Sequence, residues 1–422
     1  MKYINFKQIR EQLRQNRFFT FLSLFGVSIP VMIVMVMIVK TELYINPGGP
    51  EKDNDQMLFL NRTKVRMEEG RVSGFVNLGI IEKYFSEIAP KGSMAFSSST
   101  LTAIFLENEV LDVPVRYTNA DFWDVFDFHF VDGSHYNLDN VGNKDNVVVI
   151  SRNLSRKVFG MQEAVGKTME VEGGTYRIIG VVEDVTSLAM NAYSEIWMPY
   201  TVKSHRMSDP EEIAKAAGGY SVAFRASENW DFDQIKSDVE RVRTRLNQIN
   251  GEDAEIFFGG PAPATENYFR GFRDPETYEG NLMNYLALAG KALMILFLPA
   301  LNLMSLNLTR IQERSQEIAI RKAFGATRKR MAFQIMGENA VLTILGGLIG
   351  LLMAYMVMYF FKDQVFAGFF IRNADQATIQ INYVAFLLVM GVSLVFSILS
   401  GLIPSLRISR LQPAYVLKGG EL

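Results

Sequence analysis

Four stretches of the chain are long enough and apolar enough to cross a membrane as helices. The first, residues 18–39, contains no charged side chain, and a helix of that length extends about 33 Å, enough for the core of a bilayer. Residues 282–308, 336–361 and 381–404 are similar in character. Residues 39–49 offer no clean signal-peptidase site, so we interpret the first stretch as an uncleaved anchor. The pattern predicts four transmembrane helices with both chain ends on one side.

The long segment between the first and second apolar stretches alternates short strand and helix patterns. Residues 57–67, 79–89 and 101–119 predict a first βαβ unit, and residues 219–226, 230–247 and 254–260 predict a second. Residues 118–215 form a predicted insertion, with helices near 120–126 and 151–160 and strands at 146–150, 167–171, 176–182 and 195–199. The predicted fold is a membrane protein of four transmembrane α-helices, with a large α+β extracytoplasmic domain of two subdomains inserted between helices 1 and 2.

Charge predicts the orientation, because basic flanks stay on the cytoplasmic side. Basic residues surround the chain ends and the loop between the second and third apolar stretches: Lys2, Lys7, Arg10, Arg14, Arg17, Arg310, Arg314, Arg321, Lys322, Arg328, Lys329, Arg330, Arg407, Arg410 and Lys418. Residues 40–281 instead hold 25 Lys and Arg against 38 Asp and Glu, although the whole chain has a net charge of only −2. We therefore place both termini in the cytoplasm and residues 40–281 outside, with no cysteine available for disulfides.

These patterns give a complete set of predicted segments. Residues 2–17 also match a basic amphipathic helix in the headgroup plane, or a plain topological flank. The predicted segments are an N-terminal helix (1–17), transmembrane helix 1 (18–39), the extracytoplasmic domain (40–281, with the inserted subdomain at about 118–215), transmembrane helix 2 with its outer stalk (282–308), a cytoplasmic loop (309–335), transmembrane helix 3 (336–361), an outer loop (362–380), transmembrane helix 4 (381–404) and a cytoplasmic tail (405–422).

The stretch GMQEAVGKT, residues 160–168, ends like a phosphate-binding loop. That loop requires four residues between its glycines and a helix after them, whereas five residues separate Gly160 from Gly166 and the following residues alternate like a hairpin. We interpret the match as chance, with Gly166 opening the turn into a strand from Lys167. We also find no nucleophile elbow, no zinc-protease motif and no metal set among His129, His135 and His205, although Asp127 and Asp132 leave a weak cation site conceivable.

The loop between the second and third apolar stretches is more than a basic flank. Glu317 precedes Arg321 by four residues, the favourable order for an ion pair on a helix. Gly325 suits a helix end and Thr327 an N-cap. Its mixed surface of Glu313, Glu317, Ile318, Ile320 and Phe324 is suited to docking a protein, while a merely solvated turn remains the alternative.

At this loop the chain resembles a known family. ERSQEIAIRKAFGATRKRMAFQIMGENAVL (313–342) is similar to the signature of the FtsX/MacB-like permeases of ABC transporters. NADFWDVFDFHFVDG (119–133), NVVVISRNLSRKVFG (146–160) and AVGKTMEVEGGTYRIIGVVED (164–184) resemble that family's periplasmic core domain, and IPSLRISRLQPAYVLKGG (403–420) resembles its closing segment. The motifs occur in the family's order, so the resemblance covers nearly the whole chain.

The resemblance implies a non-catalytic permease subunit that transmits ATP-driven motion to its periplasmic domain. ATP and Mg would be used by a separate cytoplasmic ATPase, since the sequence departs from MacB in lacking a fused ATPase domain; no cofactor, metal or catalytic residue is expected in this chain. The resemblance implies that a coupling helix contacts the ATPase through Glu313, Arg314, Glu317, Ile318, Arg321, Ala323 and Gly325.

The same resemblance implies further partners and a transport role. The partners are a second permease copy or a sister permease, a periplasmic adaptor or outer-membrane channel, and membrane lipids, with no nucleic acid. The implied location is the inner membrane, with export of a drug, peptide or lipoprotein-like substrate. Regulation of cell-wall hydrolases, or an outer-ligand receptor that signals inward, remain alternatives, and the sequence names no substrate.

Small residues recur at four-residue spacing in the last two apolar stretches, which permits close helix packing in a membrane. Such packing could form a dimer face or lie within one subunit. Pro30 and Pro299 interrupt two other stretches, and we place Lys291 at the membrane interface rather than in its core. The recurring small residues are Gly346, Gly350, Ala354, Ser393, Ser397 and Gly401.

Overall fold

The computed structural model describes residues 17–105, 110–160, 163–203, 217–270, 281–313, 320, 324, 327–366 and 382–410. Its helices in chain order are α1 (Arg17–Ile45), α2 (Phe122–Val125), α3 (Leu138–Asn143), α4 (Arg152–Phe159), α5 (Phe232–Asn250), α6 (Ala264–Arg270), α7 (Asn281–Glu313), α8 (Arg328–Phe360), α9 (Lys362–Phe366) and α10 (Tyr383–Arg410). The predicted helix of residues 1–17 lies outside the described residues, except for Arg17.

The strands in chain order are β1 (Met57–Leu60), β2 (Thr63–Met67), β3 (Gly70–Gly74), β4 (Met94–Phe105), β5 (Val110–Thr118), β6 (Phe130–Gly133), β7 (Val147–Ser151), β8 (Thr168–Val171), β9 (Gly174–Val182), β10 (Ile196–Pro199), β11 (Ser221–Arg225) and β12 (Ala254–Phe258). A helical segment, built from Leu78–Ile80, Ile81–Phe85 and Ser86–Ile88, lies between β3 and β4. The chain divides into two compact units: a helix unit (Met1–Thr41, Asn284–Val365 and Ile379–Leu422) and a sheet unit (Glu42–Met283 and Phe366–Thr378).

Among the described residues, four helices are long and apolar enough to cross a membrane: α1, α7, α8 and α10. Each overlaps one of the four apolar stretches of the sequence and extends beyond it at one end or both. Helices α1 and α7 run through Pro30 and Pro299 without interruption. Buried apolar side chains from all four helices form one cluster, in which Val27 and Val31 of α1 meet Leu296 of α7, Ala354 of α8 and Val389 of α10. The helix unit is therefore a packed bundle with its own core.

The sheet unit is built on a mixed nine-stranded sheet. Its strand order is β1-β11-β4-β5-β10-β7-β9-β6, and β8 pairs with β9 beside this path. β1 and β4 both pair antiparallel with β11, so they run parallel to each other. The helical segment lies between them along the chain, but the first predicted βαβ unit holds only in part. Residues 57–67 form two strands, of which only β1 joins this sheet, and β11 lies between β1 and β4.

The second predicted βαβ unit is wrong. β11 belongs to the nine-stranded sheet, but β12 pairs antiparallel with β2 in a separate sheet of order β12-β2-β3. The helix between them, α5, buries Ile235, Val239, Val242 and Leu246 on one face, the spacing of an amphipathic helix. A pattern along the chain identifies that helix and both strands, but it carries no information about which sheet each strand joins.

Residues 118–215 contribute a contiguous part of the large sheet. Their strands β6, β7, β8, β9 and β10 lie together, and the parallel pairing of β10 with β5 joins them to the rest. The inserted segment therefore shares one continuous sheet with the residues before and after it.

The GKT stretch leads into a hairpin. Gly160 ends α4 with a φ of 67°, and Gly166 has a φ of 88°, backbone that glycine adopts readily. The Gly166 amide donates to the carbonyl of Ile178, and the Ile178 amide donates to that of Lys167, both at 2.8 Å. Strand β8 then pairs antiparallel with β9, so no helix follows the glycine as a phosphate-binding loop would require.

Candidate functional site

Most of the predicted coupling helix lies outside the described residues. This holds for Arg314, Glu317, Ile318, Arg321, Ala323 and Gly325, while Glu313 is the last residue of α7 with its side chain also outside them. Two neighbours are described: Ile320 is 46% exposed and Phe324 is 88% exposed, and the Phe324 amide donates to the Ile320 carbonyl at 3.1 Å. The loop thus presents an aromatic ring almost fully to its surroundings.

Two of the predicted small residues lie where α8 crosses α1. A Cβ added to Gly350 would come within 2.6 Å of the carbonyl oxygen of Ser28, and one added to Gly346 within 2.9 Å of Val27 Cβ. Ala354, one turn further along α8, belongs to the same apolar cluster as Val27 and Val31. These three small residues therefore allow α8 and α1 of one chain to approach closely.

One of the two predicted serines of α10, Ser397, lies in a buried polar contact with α8. The Thr343 hydroxyl is 2.7 Å from Ser397 Oγ and 2.8 Å from the carbonyl oxygen of Asn339, and the Asn339 amide reaches the Ser397 carbonyl at 3.5 Å. Asn339, Thr343 and Ser397 are each at most 2% exposed. Ser393 instead donates to Val389 on its own helix. Gly401 lies on α10, in the part whose side chains are outside the described residues.

Lys291 lies on α7, the least buried of the four long helices. Its side chain is exposed, and it falls inside the apolar window Leu282–Pro299, of which 11% is buried against 33–39% for the other three. Its depth in a bilayer stays a prediction.

Asp127, His129 and His135, which were considered for a cation site, have separate partners, and His205 lies outside the described residues. Asp127 pairs with Lys52, and His129 Nδ1 lies 3.6 Å from Glu183 Oε1. His135 stacks on Trp123 with ring centroids 5.8 Å apart. In the part of the chain that the structure describes, no group of three His, Asp or Glu residues could hold a metal ion.

The segment that joins α1 to β1, residues 46–56, is held firmly although its sequence, NPGGPEKDNDQ, is typical of a loop. It contains two short 3-10 turns, Gly49–Glu51 and Asn54–Gln56. Asp53 pairs with Arg225 at 3.2 Å, and the carbonyl of Pro50 accepts a hydrogen bond from the Asp127 amide at 3.1 Å. We call these residues the connector.

Glu51 is the buried centre of the connector. It is 2% exposed, and its Oε1 accepts hydrogen bonds from the backbone amides of Asn191 and Ala192, both at 2.8 Å. Its Oε2 accepts from the side-chain amides of Asn191 at 3.3 Å and Asn54 at 3.4 Å. Burial raises the pKa of Glu51, although these amide donors act in the opposite direction.

Arg116 binds the same loop through two of its backbone carbonyls. This loop, residues 183–195 between β9 and β10, is named the clamp loop here. Arg116 lies on β5, is 5% exposed, and donates to the carbonyl oxygens of Tyr193 at 3.0 Å and Met190 at 2.9 Å. Burial lowers the pKa of its guanidinium to about 10, against the favourable charge of Glu51, so the group stays protonated at neutral pH.

The clamp loop is therefore fixed by two buried side chains, the carboxyl group of Glu51 and the guanidinium of Arg116. Hydrogen bonds to charged groups contribute about 1.5–3 kcal/mol each, and more is lost when a buried partner is left unsatisfied. Glu51 and Asn191 are separated by 140 residues along the chain. Local sequence patterns cannot predict a contact between residues so far apart in the chain. The prolines and glycines of the connector are typical of an exposed loop.

Two protein families match the chain. Residues 20–242 match the MacB-like periplasmic core domain and residues 291–413 match the FtsX-like permease C-terminal family. The first match alone covers more than half of the chain, and both agree with the motifs identified in the sequence.

Characterised relatives point in the same direction. The chain is 25% identical over 356 residues to the pyoverdine export ATP-binding/permease protein PvdT of Pseudomonas syringae pv. syringae, with 80% of this chain and 49% of the relative covered. It is 24% identical over 301 residues to the macrolide export ATP-binding/permease protein MacB of Escherichia coli K12, with 71% and 42% covered. The chain thus spans about half the length of the curated relatives it matches.

Solved structures of outer domains align with part of the chain. The periplasmic region of MacB from Actinobacillus actinomycetemcomitans aligns with a TM-score of 0.33 at 15% identity, covering 47% of this chain and 88% of that one. The extracellular domain of the transporter YknZ from Gram-positive bacteria aligns with a TM-score of 0.33 at 17% identity, covering 47% and 100%.

Proposed function

Because the chain belongs to the FtsX-like permeases with a MacB-like periplasmic core domain, we propose that it couples ATP hydrolysis by a cytoplasmic ATPase to conformational change of its sheet unit. The chain is a permease component of the ABC exporter family, and the proposal adds that the ATPase is a separate subunit. ATP and Mg would bind that subunit, while this chain supplies the docking surface and the moving parts.

The exposed ring of Phe324 is the observation that carries this proposal. A phenylalanine that is 88% exposed on the loop between α7 and α8 costs free energy in water, and covering it with a partner recovers that cost. Ile320, one helical turn earlier and 46% exposed, would belong to the same docking surface. The family resemblance adds the coupling residues to the proposed surface. These are Glu313, Arg314, Glu317, Ile318, Arg321, Ala323 and Gly325.

The proposed assembly contains two permease copies, or this chain and a sister permease, in the inner membrane with the sheet unit in the periplasm. Its use would be export, as the names of PvdT and MacB state for those proteins. A drug, peptide or lipoprotein-like molecule is the substrate class, and a periplasmic adaptor or outer-membrane channel is the outer partner.

The test is co-purification of the full chain from its native membranes, with bound ATPase subunits identified by mass spectrometry. The double variant Glu317→Lys, Arg321→Glu and the single variant Phe324→Ser should each lose the ATPase. The matched control, Glu240→Lys with Arg243→Glu, reverses an exposed pair on α5 and should retain it. Unchanged ATPase recovery with both loop variants would overturn the docking surface and favour a sensor that signals inward without an ATPase.

A further inference from the structure

The connector joins the end of α1 to the middle of the large sheet through buried polar contacts. We propose that Glu51 is a positioning residue through which displacement of the outer end of α1 moves the nine-stranded sheet. This inference rests on the ATP-driven motion proposed above and assigns its route within the sheet unit. The route has three links, each formed by described side chains.

The first link joins the helix end to the connector. The side-chain amide of Asn54 donates to the carbonyl oxygen of Ile45, the last residue of α1, at 3.0 Å, and contacts Glu51 Oε2 at 3.4 Å. Asn54 is 4% exposed. The final carbonyls of a helix have no partner within the helix, so this contact satisfies one of them and fixes the helix end relative to Glu51.

The second link joins Glu51 to the clamp loop. Its carboxylate accepts two backbone amides, those of Asn191 and Ala192, on one oxygen. Backbone donors cannot rotate away as side chains can, and the loop backbone is fixed further because Trp197 Nε1 donates to the Ala192 carbonyl at 3.0 Å. A shift of Glu51 therefore has to displace the loop backbone or break two buried hydrogen bonds.

The third link joins the clamp loop to the sheet. Arg116 donates to two carbonyls of the loop, and its Nη1 also donates to Ser97 Oγ on β4 at 2.8 Å. Arg116 lies on β5, which pairs with β4 on one side and β10 on the other. The route thus ends at the centre of the sheet, where the strands of residues 118–215 meet the others.

The remaining charged contacts of the connector are weaker candidates for this route. The Lys52–Asp127 pair is half exposed on both sides and the Asp53–Arg225 pair is about a third exposed. Exposed ion pairs are screened by salt and contribute little to stability. The buried contacts of Glu51 are shielded from that screening, so they are the ones suited to transmit a displacement.

The experiment compares two reporter positions in the full chain bound to its ATPase in lipid nanodiscs. The sequence has no cysteine, so single cysteines at Asn46, next to the end of α1, and at the exposed Leu101 of β4 take a fluorescent donor cleanly. Energy transfer to acceptor lipids then measures how far each position moves relative to the bilayer when ATP and vanadate are added. Leu101 is 58% exposed, so a dye there leaves the core intact.

In the wild-type background both reporters should shift. In Glu51→Ala the Asn46 reporter should still shift while the shift at Leu101 is lost, and Asn54→Ala should show the same loss because it removes the first link. Glu51→Gln keeps the Oε1 acceptor and should restore the shift at Leu101, and the exposed Glu228→Ala should leave both shifts unchanged. Tryptophan emission confirms folding of each variant, since Trp123, Trp197 and Trp230 are all buried in the sheet unit.

Each other result contradicts the route. Equal shifts at Leu101 in wild type, Glu51→Ala and Asn54→Ala would show that the displacement reaches the sheet without Glu51. A wild-type shift at Asn46 with none at Leu101 would show that the sheet does not follow the helix. If neither reporter shifts in wild type although ATPase is bound and hydrolyses ATP, the ATP-driven motion itself fails, and the inference falls with it.

Discussion

At the scale of single residues, Gly350 shows how little space separates α8 from α1. A methyl group there would meet the carbonyl oxygen of Ser28 at 2.6 Å, and backbone atoms cannot move aside as a flexible side chain can. We expect Gly350→Ala to destabilise the helix unit by about 1–3 kcal/mol, the usual cost of overpacking, despite the better helix propensity of alanine. Unfolding in mixed detergent micelles, followed by loss of helical circular dichroism, measures the change.

The matched control for that substitution is Gly391 on α10. Among the described atoms, nothing lies within 4 Å of a Cβ added there, so Gly391→Ala should leave the unfolding free energy unchanged or raise it by up to about 1 kcal/mol. Equal effects of the two substitutions would contradict the close approach of α8 and α1. The sequence predicted Gly350 as a packing residue from its spacing, but it could not say whether the facing helix belonged to the same chain.

At the scale of elements, the polar contact between α8 and α10 gives a measurable coupling. The Thr343 hydroxyl and Ser397 Oγ are 2.7 Å apart and buried. Interhelical hydrogen bonds in membranes average about 0.6 kcal/mol and reach about 1.7 kcal/mol. A double-mutant cycle of Thr343→Val and Ser397→Ala should therefore give a coupling energy within that range, measured by the same detergent unfolding.

Ser393 provides the control for this cycle, because its hydroxyl donates to Val389 on its own helix. The pair Thr343→Val and Ser393→Ala should show additive effects. A coupling as large as that of the Thr343 and Ser397 pair would mean that the hydrogen bond across the two helices is not its source.

Helices and strands were predictable from the sequence where they are determined by residues close to one another in the chain. Alternation and apolar spacing predicted β7, β8, β9 and β10 and the helix α5, because each side chain responds to the face on which it lies. The sheet that a strand joins depends on residues far away in the chain. The sequence therefore could not predict that residues 57–67 form two strands, β1 and β2, in two different sheets. The break at residues 61–62 is visible in the structure but has no strong turn signal in the sequence.

At the scale of the whole molecule, the segregation of charged and apolar residues along the chain supplied the predictions of four apolar helices and of their orientation. The family followed from motifs that keep their order along the chain, and two family matches bear it out. The connector was not predictable, because Glu51 acquires its role from Asn191 and Ala192, far away in sequence. From its sequence context, NPGGPEKDNDQ, Glu51 would be predicted to be a solvated loop residue, but the fold buries it.

The orientation of the molecule in the membrane is the prediction that the charge segregation makes most directly. In this Cys-free chain, single cysteines at Glu228 in the sheet unit and at Ser315 in the basic loop should lie on opposite sides of the bilayer, because basic flanks are retained in the cytoplasm. A membrane-impermeant maleimide added to intact spheroplasts should label the Glu228→Cys variant, and should label Ser315→Cys only after the membrane is permeabilised. Asn46→Cys, just past α1, should behave like Glu228→Cys. Labelling of Ser315→Cys in intact spheroplasts would reverse the orientation, and it would also place Phe324 where no cytoplasmic ATPase could cover it.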